Sequence, residues 1–187
     1  LGTLGGASSF AYAINDANQV VGEARINAND PLHAFLWEDD ISGSVMTDLG
    51  ALTPIDGFSA AYTINSSGQT AGIAEFSGFA DWHGSFWDNS SVVDMGTLGS
   101  EHSTAEGMND VGQVVGHFRK VSNSRGFVWD NGVMTELGTL SGSTTKAYDI
   151  NNFGLIVGES RVGSAAAFSA WANDPNNLTN LGTLGGS

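Results

Sequence analysis

Cysteine is absent from the 187-residue chain, so disulfides, thiolate nucleophiles and cysteine-ligated zinc are excluded, and the redox compartment leaves no mark on the sequence. Basic residues are also scarce: six Lys and Arg stand against 20 Asp and Glu, for a formal net charge of -14. A field of that sign repels phosphate backbones and anionic lipid, which argues against nucleic-acid and membrane-surface partners. No apolar run approaches the roughly 18 residues that a spanning helix needs, so membrane insertion is not expected. The opening Leu1-Gly2-Thr3 has neither the charged nor the apolar region of a signal peptide, and the chain reads as a processed or excised piece. What is present suffices for a core. Apolar residues make up 41% of the chain and aromatics 10%, which excludes the disordered and collagen-like classes. At about 150 residues per domain, the length suits a single domain.

Internal repetition dominates the rest. A nine-residue phrase occurs four times, as INDANQVVG from Ile14, INSSGQTAG from Ile64, MNDVGQVVG from Met108 and INNFGLIVG from Ile150. Its Asn residues (Asn15, Asn65, Asn109, Asn151) are each followed seven positions later by Gly22, Gly72, Gly116 and Gly158. Trp37, Trp87, Trp129 and Trp171 keep step with them at spacings of 50, 42 and 42. A Leu-Gly-Thr-Leu phrase recurs five times, from Leu1, Leu49, Met95, Leu137 and Leu181. Repeats therefore run over about 1-48, 49-94, 95-136 and 137-180, with a fifth partial copy at 181-187.

Short β-branched and aromatic runs alternate with turn residues, and no segment spaces its apolar residues by three and four over a helical length, so an all-β fold is expected. The fifth residue of the nine-residue phrase is Asn18, Gly68, Gly112 or Gly154, the residue types that enter the left-handed region at least cost. This predicts a hairpin turn with a following bulge, capped by the side chain of the preceding Asn. Asp130-Asn131-Gly132 marks a second hairpin, which makes four strands per repeat: 10-15, 19-25, 33-37 and 45-49 in the first, and 60-65, 69-74, 84-88 and 91-95 in the second. Four-stranded antiparallel units of this length fit a β-propeller of four blades, or an open stack of sheets, with the Trp residues filling the space between sheets.

The Leu-Gly-Thr-Leu-Gly-Gly phrase, the Ile-Asn-Asp-x-Gly-Gln-Val-Val-Gly phrase and His33-Ala34-Phe35-Leu36-Trp37 together resemble the HAF-type probable extracellular repeats of bacteria, across the whole chain. That resemblance implies an exported or cell-surface protein built from many repeats. The histidine of the third phrase becomes His83, Arg125 and Ala167 in later repeats, and so reads as no shared functional residue.

Catalytic signatures are missing. No Gly-x-Ser-x-Gly elbow occurs, and Gly2, Gly5 and Gly6 precede neither a helix nor a Lys, so no phosphate loop is expected. His33, His83, His102 and His117 lack paired metal-ligand spacing. Asp48, Asp94 and Glu136 hold equivalent positions, with Asn180 in the fourth repeat; if that strand lined a channel they would form a ring able to take calcium, or to supply a glycosidase pair. A solvated strand end, or an acceptor for neighbouring backbone N–H groups, is the favoured reading, and no cofactor is assigned. The loops between the phrase and Trp vary in length and content. That of the second repeat carries Phe76, Phe79, Trp82 and His83, which suit sugar stacking or protein contact. The expected function is a non-catalytic extracellular or cell-surface β-repeat protein for structure or adhesion. Its surplus terminal segment, through Leu1 and Leu4 or Leu181 and Leu184, would join copies head to tail into filaments by strand addition. The alternatives are a glycan-binding propeller module and a propeller glycosidase.

Overall fold

The computed structural model describes residues 1-28, 30-40, 43-53, 57-77, 81-88, 91-163, 168-173 and 177-184. Among these there is no helix, and therefore none long and apolar enough to cross a membrane. Among the described residues, sixteen strands form four antiparallel sheets of four strands, each in simple up-and-down order. The first sheet contains β1 (Ser9–Ile14), β2 (Val20–Arg25), β3 (Leu32–Asp40) and β4 (Gly43–Gly50). The second contains β5 (Ser59–Ile64), β6 (Thr70–Glu75), β7 (Trp82–Asp88) and β8 (Ser91–Asp94). The third is β9 (Ser103–Met108), β10 (Val114–Lys120), β11 (Asn123–Asp130) and β12 (Val133–Glu136). The fourth is β13 (Thr145–Ile150), β14 (Ile156–Arg161), β15 (Phe168–Asn173) and β16 (Thr179–Gly182). Each sheet is one repeat, and the strands fall within a few residues of those expected from the pattern. The chain divides into two compact units, Leu1–Met95 and Gly96–Ser187, each of two repeats.

The nine-residue phrase is the turn between the first two strands of every sheet. Its fifth residue is left-handed throughout: Asn18 at φ 59°, Gly68 and Gly112 at 81°, Gly154 at 79°. The preceding Asn caps the turn as expected, because its Oδ1 accepts backbone N–H groups that the tight loop would leave unpaired. Asn15 accepts from Ala17 and Gln19, Asn65 from Ser67 and Gln69, Asn109 from Gln113, and Asn151 from Phe153 and Leu155, at 2.9–3.1 Å. The amide end reaches further than the sequence suggested. Asn15 Nδ2 donates to the carbonyl of Asn65 at 2.9 Å, and Asn109 Nδ2 to that of Asn151 at 3.2 Å, so one repeat's cap holds the next repeat's turn.

Past the turn, every first strand carries a bulge. Partners jump from Ala11 to Ala13, Ala61 to Thr63, Ala105 to Gly107 and Ala147 to Asp149, leaving Tyr12, Tyr62, Glu106 and Tyr148 unopposed. Opposite stands the last Gly of the phrase. A Cβ on Gly22, Gly72, Gly116 or Gly158 would fall far inside contact distance of the carbonyl of Phe10, Ala60, Thr104 or Lys146, so the bulge tolerates no side chain there.

Within each unit the second sheet packs its first strand on the sheet before it. Val21, Ala34 and Leu49 meet Ala61, Ala74 and Trp87 in the first unit; Val115, Val128 and Leu137 meet Ala147, Ile150, Ile156 and Trp171 in the second. Trp87 and Trp171 fill the space between the two sheets of their units, as the register predicted, whereas Trp37 packs on Val20, Ala24 and Phe35 of its own sheet. Burying a Trp or Leu side chain in such an interface contributes roughly 1.5–3 kcal/mol.

Candidate functional site

Asp48, Asp94 and Glu136 lie at the ends of β4, β8 and β12, the outer edge strands of their sheets, and each is answered by a base on its own sheet. His33 Nδ1 is 3.0 Å from both carboxylate oxygens of Asp48, and His83 Nδ1 is 2.9 Å from Asp94 Oδ1. Glu136 takes Lys120 at 2.8 Å and Arg125 at 3.4 Å. A carboxylate only accepts, so the proton of each imidazole sits on Nδ1. Burial raises the Asp48 carboxyl, but hydrogen bonds from His33 and the Gly50 N–H outweigh it and hold the group below the usual carboxylate range. The position four before Trp thus faces a carboxylate on the neighbouring strand in three repeats, as His33, His83 and Arg125. Among the described residues no three of His, Cys, Asp or Glu gather as a metal site.

The loop residues of the second repeat separate. Phe76 stacks on His83 with centroids 4.2 Å apart and planes 7° from parallel. Trp82 immediately precedes His83 in β7, so it points to the other side of the sheet. Phe79 lies outside the described residues. The chain-end leucines lie in different surroundings. Leu4 packs on Val20, Ala24 and Phe35 of its own first sheet, while Leu1, Leu181 and Leu184 are exposed. Residues 179-182 form the fourth strand of the last sheet.

Sequence reasoning missed the bulge residues. In the first unit Tyr12 donates to Glu23 Oε1 at 2.9 Å and meets the Tyr62 ring edge-on at 5.5 Å. Burial, together with Glu23, pushes the Tyr12 phenol up to about 12. The corresponding place in the second unit holds charge: His117 Nδ1 lies 3.5 Å from Glu106, and Lys146 3.6 Å from Glu159, which also accepts from Tyr148. Burial and then the Lys146 ammonium press His117 down to about 4, and burial lifts Glu106 despite that ammonium. His117 is therefore neutral at pH 7.

The largest departure from repeat symmetry is exposure. Ala61 and Ala147 are fully buried by the preceding sheet, but their equivalent Ala11 is exposed. Ile150 is 5% exposed and Ile14 66%. On the opposite kind of face, Val21 and Val115 are buried and Val157 is not; Leu49 and Leu137 are buried while Leu181 is 60% exposed. Ile14 of the first sheet and Leu181 of the fourth are thus exposed apolar side chains at positions buried elsewhere in the repeats.

No family model matches the chain, and no curated protein matches it. The structure is similar to the crystal structure of TolB from Acinetobacter baumannii, with a TM-score of 0.64 and 14% identity over 91% of this chain and 42% of that one. The fold is β-propeller-like. The chain spans less than half the length of that structure. At this identity the likeness is one of fold, and each sheet of this propeller-like chain corresponds to a blade.

Proposed function

We propose that the chain is a non-catalytic structural or adhesive module of the cell surface, and that copies join head to tail by stacking the fourth sheet of one on the first sheet of the next. The observation that supports this is the exposure of Ile14 and Leu181 at positions where Ile150 and Leu137 are buried in a sheet-to-sheet contact of the same chain. An exposed apolar position of each kind supports a heterologous, head-to-tail contact between copies. In this reading copies join by stacking of faces, and residues 179-182 pair within the fourth sheet. The extracellular placement rests on the resemblance of the repeat phrases. A charge of -14 on every copy opposes association, and salt that screens it beyond about 8 Å promotes stacking.

Sedimentation velocity over a range of protein concentrations tests the reading. Oligomers that grow with concentration and salt are expected. Ile14→Asp and Leu181→Asp should each abolish them, yet a mixture of the two variants should form dimers and nothing larger, since each retains one sound face. A wild-type chain that stays monomeric at every concentration and salt level would overturn the assembly.

A further inference from the structure

The bases of this acidic chain are nearly all engaged. Lys120 and Arg125 share Glu136, Lys146 holds Glu159, and Arg25 Nη1 donates to the Asp30 carbonyl at 2.8 Å. Arg119 differs: among the described residues its side chain has neither a hydrogen bond nor an ion pair. It lines a cavity of about 300 Å³ with Leu98, Glu101, Phe118, Lys120 and Val121, all within the second unit. That volume is at the small end of the range for small-molecule sites.

Two walls of the cavity are held in strain. Leu98 at φ 52° begins the tight turn in which Ser100 N donates to the Thr97 carbonyl, a place that favours Asn or Gly. Val121 at φ 58° closes the β10–β11 hairpin and is 89% exposed. A β-branched residue in the left-handed region is a genuine outlier, and such strain concentrates where a binding surface needs a particular side chain. Here it places two aliphatic side chains in the solvent-facing walls of the cavity that holds the unpaired guanidinium.

We infer that this cavity is a binding site for an acidic sugar, a hexuronic acid unit either free or within a glycan. A guanidinium fork matches a carboxylate in bidentate geometry. Leu98 and Val121 supply apolar contact for the C–H face of a pyranose ring. The Glu101 carboxylate, also in the lining, accepts from ring hydroxyls, which a simple inorganic anion lacks. The site is separate from the sheet faces through which copies are proposed to join.

Titration with galacturonic acid and its dimer, followed by backbone amide shifts, tests the site on the wild-type chain and on Ile14→Asp alike, so that self-association does not enter. Shifts confined to residues 98-101 and 118-121 are expected with the acid, none with galactose at equal concentration, and inorganic phosphate should bind about tenfold more weakly. A preference for the dimer would mark the glycan as the source, and equal affinity the free acid. Arg119→Gln should weaken binding by about tenfold or more, with Arg119→Lys intermediate, since a point charge lacks the fork. Arg119 is exposed, so both variants should keep the wild-type circular dichroism. No shifts at these residues, phosphate binding as tightly as the uronate, or unchanged affinity in folded Arg119→Gln would each overturn the assignment.

Discussion

Replacing Asn109 by Ala separates the two jobs of the phrase asparagine. Asn109 is 3% exposed; its Oδ1 accepts from Gln113 N at 3.0 Å, and its Nδ2 donates to Gln113 Oε1 at 2.9 Å and to the Asn151 carbonyl at 3.2 Å. Each such hydrogen bond contributes about 1 kcal/mol net, and each buried partner left unpaired costs about 1–3 kcal/mol, so a loss of about 3–5 kcal/mol is expected. Asn151 caps the same turn in the last repeat from an exposed position, and Asn151→Ala should cost only the usual capping energy, about 1 kcal/mol. Asn109→Asp keeps the acceptor but sets a carboxylate against two oxygens, and should fall between the two. Urea unfolding read by tryptophan fluorescence gives the ranking, and amide hydrogen exchange in β9 and β13 localises it, because two units need not unfold together. Equal losses for Asn109→Ala and Asn151→Ala would refute the idea that the amide joins consecutive repeats.

Three further outcomes are expected. His117 has a folded pKa of about 4, below the ordinary 6.5, so the unfolded chain takes up its proton first and stability falls as pH drops from about 6.5 to 4, by up to about 3 kcal/mol; urea midpoints at pH 7, 5.5 and 4 should show a shallower decline in His117→Gln, and parallel declines would remove His117 from the account. Gly72→Ala, which drives a methyl into the Ala60 carbonyl, should destabilise by 3 kcal/mol or more on the order-of-magnitude scale of a broken bulge, whereas Gly132→Asn, in open space at φ 87°, should cost under about 1 kcal/mol in the same assay. Val121→Asn should raise the thermal midpoint, because Asn accepts the left-handed backbone about 1 kcal/mol more readily than Val; an unchanged or lower midpoint would mean the hairpin is not strained.

Much of the fold was legible because the repeats comment on one another. The Asn, Gly and Trp markers located the turns, the bulge partners and the packing between sheets. These cross-strand pairs were legible too, but only in pairs of columns: His33 with Asp48, His83 with Asp94 and Arg125 with Glu136 keep a nitrogen base opposite a carboxylate, and the fourth repeat has Ala167 with Asn180, losing both together. Reading the acidic column alone suggested a ring of ligands, when each member was already matched to a base across two strands. Gln19, Gln69 and Gln113 follow the same rule, donating to Glu38, Asp88 and Asp130, and Leu155 and Ala172 replace both members in the fourth repeat. The Arg119 cavity left no such trace. Its Leu98 and Val121 break the turn preferences of their positions, and only backbone torsions reveal that they adopt the left-handed conformation regardless.

Because the amide of one asparagine clasps the turn forty to fifty residues downstream, the architecture has a natural quantum of length. A gene duplication or deletion that moves a whole module brings the clasp and its receiver along together and leaves every seam intact. A cut anywhere inside the module strands one of them, so chains of this design should differ in size by integral numbers of modules, with drift in length confined to the outward loops.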